Sequence, residues 1–283
     1  MDRLDILRQA YAKRLLAAME LAHDRVEAAF ASVPREHYLG PGPWPILRAS
    51  GYVSSPDGDP VYVYDDVLVG LDTKQKINNG QPAYHAKWIA ALDPPLGGHA
   101  VHIGAGTGYY TAILAHLVGP TGRITAIEFD VALAHRARHN LENLRQVCVI
   151  HGDGTSLEFD AADSIYVNAG VTRPPDLWFD RLKENGCLVV PLTTDGNSSQ
   201  GTPGAFFLFS RQRDRFAARW LTPVFVYSCV GARDPVTETA LVKAFKKGGC
   251  ESVRSLHRAG HSVPPERCWI WTEDWALSYD EAN

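Results

Sequence analysis

No uninterrupted apolar run of about 18 residues occurs in this 283-residue chain, and Met1-Asp2-Arg3-Leu4-Asp5 offers no apolar signal core. A protein without a membrane span or an export segment is the expectation. Cysteine is scarce. Five residues (Cys148, Cys187, Cys229, Cys250, Cys268) lie scattered, odd in number, with no Cys-x-x-Cys and no grouping with histidine. That pattern argues against a disulfide framework and a metal centre, and it suits reduced thiols in a cytoplasmic protein. Basic clusters are also missing: with 28 Lys+Arg against 32 Asp+Glu and a formal charge of −4, no field gathers a polyanion, so nucleic acid is not an expected partner. There is no internal repeat. The 45% of hydrophobic residues is ample for one large α/β domain with an appendage.

The organising stretch is Val101-His102-Ile103-Gly104-Ala105-Gly106-Thr107-Gly108-Tyr109-Tyr110. An apolar run from His99 to Ile103 enters the glycines, and Tyr109 to Val118 carries apolar residues at helical spacing, so the segment reads as strand, glycine turn, helix. Glycine is needed where the turn is tight and where a side chain would hold a ligand away from the backbone at the helix N-terminus. Glu128 stands twenty positions after Gly108, at the end of a second strand, where a carboxylate accepts hydrogen bonds from ribose hydroxyls. A dinucleotide site would show Gly-x-Gly-x-x-Gly with pyrophosphate on the helix N-terminus. Here the spacing is Gly-x-Gly-x-Gly and Tyr109 fills the expected place. The shorter form resembles the first motif of S-adenosylmethionine-dependent methyltransferases, whose ligand carries no phosphate.

Along the chain, Leu4, Leu7, Tyr11, Leu15, Met19, Ala22, Val26 and Phe30 recur on one face and predict a helix over 2–31, stopped by Pro34. Gly40 to Pro45 reads as a surface connection, Val61 to Leu68 as β-rich, and Ala83 to Leu92 as a helix with Pro82 near its first turn. Beyond the glycine turn, strands (Arg123–Ile127, Gln146–Ile150, Ser164–Val167, Gly186–Pro191) alternate with helices (Val131–Leu144, Pro175–Leu182). This alternation predicts a doubly wound, Rossmann-like parallel sheet with helices on both faces and ligands at the strand C-termini. Thr193 to Gly204 reads as a flexible loop. Ala205–Arg211 and Phe216–Cys229 follow as an antiparallel edge. The chain then divides into a domain over 1–230 and a small α+β extension over 231–283, with a helix at Thr237–Lys247, a strand at Glu251–His257 and a hairpin of Arg267–Trp271 with Trp275–Tyr279. Trp269, Trp271 and Trp275 are read as packing the tail down, in preference to a surface for another protein, a second copy of this chain included.

From Val33 to Gly231 the motifs resemble the protein-L-isoaspartate O-methyltransferase family. Val33-Pro34-Arg35-x-x-Tyr38 is similar to its Val-Pro-Arg-x-x-Phe, and Tyr64-Asp65-Asp66 with Leu71 to Ile77 to its segment ending in Gln-Thr-Ile-Ser. Gly152-Asp153-Gly154 resembles its adenine-side turn. Asp163-x-Ile-x-Val-x-Ala-Gly, followed by Leu182-Lys183-x-x-Gly186-x-Leu188-Val189-Val190-Pro191, is similar to its later strand-helix-strand. The resemblance implies S-adenosyl-L-methionine as cofactor and methyl transfer to a carboxylate, usually an isoaspartyl residue of a damaged protein. It implies cofactor contacts at Ile77, Gly104, Ala105, Gly106, Gly108, Tyr109, Glu128, Phe129, Asp153, Gly154 and Asn168. Asp153 could instead only shape a turn, and Asn168 could only cap one. Where the family has Ser-x-Pro, this chain has Asn78-Asn79-Gly80-Gln81-Pro82, two residues longer and without the serine. Asn78, Asn79 and His85 are therefore the candidate catalytic residues, His85 being read chiefly as a packing residue.

A carboxylate acceptor, with an ordinary pKa of about 3.9 to 4.3, is ionised at neutral pH and needs no general base; a phenol, near about 10, would profit from one. The altered loop favours an acceptor other than a generic isoaspartyl peptide, such as a dedicated peptide or a small acid. A cofactor-binding scaffold without turnover is the other class left open. A nicotinamide oxidoreductase is disfavoured by the glycine spacing.

Overall fold

The computed structural model describes residues 2–282 except 76, 196–201, 227 and 230. In chain order the elements are helices α1 (Arg3–Ala18) and α2 (Asp24–Ser32); strands β1 (Pro45–Arg48), β2 (Gly51–Ser54), β3 (Gly70–Asp72) and β4 (Ile77–Asn78); and helix α3 (Pro82–Leu92). Then come β5 (His99–Ile103), α4 (Tyr109–Val118), β6 (Arg123–Glu128), α5 (Val131–Asn140), β7 (Val147–His151), β8 (Ala162–Val167) and α6 (Asp176–Asp180). The C-terminal part adds β9 (Leu182–Thr193), β10 (Thr202–Gln212), β11 (Arg215–Val226), α7 (Pro235–Lys247), β12 (Ser255–Arg258), β13 (Cys268–Trp271) and β14 (Trp275–Ser278). Contacts divide the chain into two compact units, Met1–Gly97 with Ala105–His151, and Gly98–Gly104 with Gly152–Asn283.

In the first unit the N-terminal apolar stripe is two helices, not one over 2–31. Glu20 takes a left-handed φ of 53° after α1, and the His23 side chain accepts from the Val26 N–H to start α2 afresh. The periodicity runs through the break because both helices bury the same kind of face, Tyr11, Leu15 and Leu16 from α1 and Val26, Ala29 and Phe30 from α2. Tyr11 packs edge-on against Tyr64, and Phe30 against Tyr109. The β-rich expectation for Val61–Leu68 is also corrected: a 3-10 turn occupies Pro60–Val63, with Asp59 as its N-cap. Proline withholds an N–H there, and the carbonyls of Val63, Asp65 and Val67 are taken by the buried Arg35 guanidinium instead of a neighbouring strand. Strands β6 and β7 pair in parallel with Glu128 opposite His151, and α5 stops at Asn140, short of the expected Leu144.

In the second unit β5, β8 and β9 pair in parallel, and β10 and β11 follow antiparallel, as the alternation predicts. The tail changes the picture of an edge there. β12 pairs with β11, β14 with β12, and β13 with β14, so the tail continues the same sheet. Trp269 and Trp275 are buried and Trp271 is 39% exposed, with Trp269 packed against Phe207 of β10 and Phe245 of α7. Glu251 lies in a short 3-10 turn rather than in the strand expected from 251. Of the expected Thr193–Gly204 loop, 196–201 lie outside the described residues. Among the described residues no helix is long and apolar enough to cross a membrane.

Candidate active site

The glycine turn begins in the second unit and ends in the first, since the chain passes from one to the other between Gly104 and Ala105. On the first unit, Gly106 and Gly108 have φ of 57° and 96°, and a Cβ on Gly108 would lie 2.7 Å from Leu141 Cδ1. The left-handed φ calls for glycine at both positions, and at Gly108 the packing on Leu141 does so as well. The Ala105 N–H donates to the Ile127 carbonyl at 3.2 Å, and Asn140 Nδ2 donates to the Thr107 carbonyl at 2.9 Å. Glu128 closes the arrangement: its Oε2 accepts from the Gly106 N–H at 2.6 Å and its Oε1 from the Asp130 N–H at 2.9 Å.

Glu128 is only 7% exposed. Burial pushes its pKa up from the ordinary glutamate value, and the two backbone N–H groups oppose that rise without cancelling it. Each carboxylate oxygen retains acceptor capacity beyond the one bond it makes, which is what two ribose hydroxyls need. Phe129, next in the chain, is 53% exposed, an apolar ring held at the surface beside that carboxylate. Tyr109 differs from its neighbours in the motif. Its ring is buried against Phe30, Tyr38 and Tyr110, so its side chain belongs to the core and its backbone alone stands at the helix start.

The altered loop is also in the first unit. Ile77 and Asn78 form β4, paired with β3, and Asn78 Oδ1 accepts from the Gly80 N–H at 2.8 Å. Asn79 is buried, with Oδ1 3.4 Å from Arg35 Nε. Gln81 Nε2 donates to Asp66 Oδ2 at 2.7 Å, and the other Asp66 oxygen caps α3 through the Ala83 N–H at 2.8 Å. All three amides therefore serve to shape the loop. His85 is buried, stacked on Tyr110 at 3.6 Å and edge-on to Trp88, and a Cβ on Gly80 would lie 2.1 Å from its Nε2. The imidazole is roofed by the Gly80 backbone and packs α3 against α4.

Arg35 and Asp66 organise this region, yet neither stands among the site residues expected from the sequence. Arg35 is fully buried and joins the carbonyls of Val63, Asp65 and Val67 to Asn79. The signal for both was present in the Val33-Pro34-Arg35 and Tyr64-Asp65-Asp66 motifs.

On the second unit, Gly104 has φ of 79°, and a Cβ there would lie 3.6 Å from Asn168 Cβ; the Asn168 N–H donates to the Ile103 carbonyl at 2.8 Å. Asp153 Oδ1 accepts from the Thr155 N–H at 2.9 Å and its hydroxyl at 2.7 Å, which is the turn-shaping role. Its Oδ2 faces Gly231, where a Cβ would come within 2.7 Å. Gly154 packs so closely on Ile103 that a Cβ would meet Cγ2 at 2.6 Å, and its carbonyl accepts from the Trp178 indole N–H at 2.8 Å. Among the described residues no group of histidine, cysteine, aspartate and glutamate could hold a metal ion.

Comparison with known proteins adds an independent line. The family model described as protein-L-isoaspartate(D-aspartate) O-methyltransferase matches residues 8–218. The protein-L-isoaspartate O-methyltransferase of Thermotoga maritima is 32% identical over 175 residues, which are 60% of this chain and 50% of that protein. That of Methanopyrus kandleri is 32% identical over 190 residues, 65% of this chain and 76% of that one. A solved protein-L-isoaspartate O-methyltransferase superposes with a TM-score of 0.65 at 25% identity, covering 89% of this chain and 72% of its own. A Plasmodium falciparum beta-aspartate methyltransferase, determined with S-adenosyl-L-homocysteine, shares the fold with a TM-score of 0.62 at 17% identity, over 78% of this chain and 97% of its own.

Proposed function

Because the chain belongs to the protein-L-isoaspartate O-methyltransferase family, we propose that it transfers a methyl group from S-adenosyl-L-methionine to a peptide carboxylate, the isoaspartyl side chain being the first acceptor to consider. The observation that carries the reading is the Glu128 carboxylate, buried and bonded to the Gly106 N–H of the glycine turn. It fits a ribose diol, and the turn glycines, each with a left-handed φ and no side chain, leave the backbone at the helix start open to approach. S-adenosyl-L-methionine, when bound, supplies an electrophilic methyl group.

The chain's own residues hold and align. Glu128 accepts from the ribose hydroxyls, Phe129 offers a ring face to the adenine, and Asp153 accepts from the adenine amino group through Oδ2 while Oδ1 keeps the turn. Gly104, Ala105, Gly106 and Gly108 let the backbone approach; Ile77 and Asn168 border the methyl donor. Asn78 and Asn79 set the wall of the acceptor side through their bonds to Gly80 and Arg35. An ionised acceptor carboxylate needs alignment at about 3 to 3.5 Å and exclusion of water, not a base. The buried, roofed position of His85 is consistent with that chemistry. The five cysteines, all free thiols, suit a reducing, cytoplasmic compartment.

A second reading, a dedicated peptide or small acid as acceptor, is favoured by one observation: the Asn78–Gln81 loop, two residues longer than the family's serine loop, is held by Arg35 and Asp66 through its amide side chains. Both readings are tested with labelled cofactor on an isoaspartyl peptide and on its aspartyl twin. The product should be a methyl ester that releases methanol in mild alkali, formed on the isoaspartyl peptide only. A base-stable product would remove carboxylate transfer, and no product on either peptide would leave the dedicated acceptor.

A further inference from the structure

The C-terminal half of α5 and the segment after α2 line a pocket of about 590 Å³ in the first unit, walled by Glu36, His37, Gly40, His135, Arg136 and His139. That volume lies within the about 300 to 1,000 Å³ of small-molecule sites. None of these residues takes part in the chemistry described above. Arg136 sets the character of the pocket. Its half-buried guanidinium makes no hydrogen bond or ion pair among the described residues, and its Nη2 lies 3.6 Å from where a Cβ on Gly40 would stand. Burial without a partner lowers its pKa.

The ordinary explanation for cations near a helix C-terminus is compensation of the helix dipole. It accounts for Arg138 and His139, which lie in the last turn of α5, and Arg138 Nε indeed reaches the Val149 carbonyl at 3.2 Å. Arg136 is turned toward Gly40 instead, and His37 enters the pocket from a different segment. The carboxylate in the lining is already engaged: Glu36 Oε1 accepts from Arg8 Nη2 at 2.9 Å and Oε2 accepts from the Tyr64 hydroxyl. His139 Nδ1 lies 3.7 Å from Glu142 Oε2, so what remains without a partner among the described residues of the lining is the Arg136 guanidinium on one wall, with the His135 and His37 imidazoles beside it.

We propose that this pocket binds a phosphate group, carried by free phosphate or by a small phosphomonoester. The guanidinium fork of Arg136 matches two oxygens of a tetrahedral oxyanion. His37 and His135, both in the lining, can each donate an imidazole N–H, in the neutral or the charged state, to the remaining oxygens. A planar carboxylate would satisfy the fork and leave the His37 imidazole of the second wall without an acceptor. The proposal does not rest on the methyl-transfer reading.

Calorimetric titration of the full chain in phosphate-free chloride buffer, with inorganic phosphate and separately with glycerol 3-phosphate, tests it. At least one probe should bind with a submillimolar Kd, and Arg136→Gln should weaken it about tenfold or more with an unchanged melting temperature. Tighter binding of the ester assigns a phosphomonoester, and equal binding assigns free phosphate. Arg138→Gln removes the same charge from the same helix turn and should leave binding within about twofold. Failure of both probes to bind at about 10 mM overturns the proposal. So does an Arg136→Gln variant that binds as tightly as the parent, or an equal loss in Arg138→Gln.

Discussion

Single residues decide two quantities that can be measured directly. Glu128→Ala removes the charge-assisted acceptor proposed for the ribose, a class of bond contributing about 1.5 to 3 kcal/mol, so S-adenosyl-L-methionine should bind about ten- to a hundredfold more weakly. Calorimetry showing unchanged affinity would separate Glu128 from the cofactor. Since burial raises the pKa of Glu128 above 4.5, lowering the pH should weaken cofactor binding before ordinary carboxylates protonate. Gly80 is the second position. With φ of 72° and a Cβ that would lie 2.1 Å from His85 Nε2, Gly80→Ala should cost roughly 1 to 3 kcal/mol and unseat the imidazole from Tyr110; denaturant unfolding measures the first, and the Tyr110 ring shifts in NMR spectra the second.

These residues also mark how far the sequence could be read. The turn at Gly104, Gly106 and Gly108, and the strand end that carries Glu128, were legible because turn geometry and strand periodicity act through local spacing. Tyr109 was not. The motif put it beside the ligand, whereas its ring is drawn into the core by Phe30 and Tyr38, residues about 70 to 80 positions away in the chain. The Val33-Pro34-Arg35 motif marked Arg35 but not its role, because three of its partners are backbone carbonyls, which carry no signature in side-chain identity.

At the scale of elements, strands and helices with a clean period stood where expected, β5, α4, β6, β8, β10 and β11 among them. The failures came where capping or tertiary hydrogen bonds outweighed periodicity, as between α1 and α2 and over Val61–Leu68. The tail was legible as elements, but not as a continuation of the sheet through β12, because antiparallel pairing partners cannot be read from alternation alone. The loop between β4 and α3 makes the prediction that belongs here. Replacing Asn78–Gln81 by Ser-x, so that the segment from Ile77 to Pro82 reads Ile-Ser-x-Pro, removes the bonds to Arg35 and Asp66. Turnover on an isoaspartyl peptide should rise by about tenfold if the longer loop selects another acceptor. Equal turnover before and after shortening would end the loop's role in specificity.

For the molecule as a whole, acid stability should follow a buried histidine. His102 is fully buried beside Tyr166, and burial pulls its pKa down to about 3. An unfolded chain takes up that proton near the ordinary 6.5. Stability contributed by keeping the ring neutral is therefore full above 6.5, falls as the pH drops below it, and is exhausted once the pH has passed about 3. The slope is about 1.4 kcal/mol per pH unit for one such group. Unfolding titrations between pH 7 and pH 4 should show it, and His102→Phe should flatten it; an unchanged slope would place the dependence elsewhere.

The thiols supply a spectroscopic handle. Of the five cysteines, Cys148 on β7 is the exposed one, while Cys187 and Cys250 are half-buried and Cys229 and Cys268 buried; burial pushes the Cys250 thiol up to about 11. A maleimide fluorophore will attach first at Cys148 with no cysteine introduced or removed. It will sit three residues along the strand from His151, the register partner of Glu128, roughly 10 Å by strand rise. The native chain can thus be read by its emission while ligands are screened, with the dye stationed beside the carboxylate that the search is about.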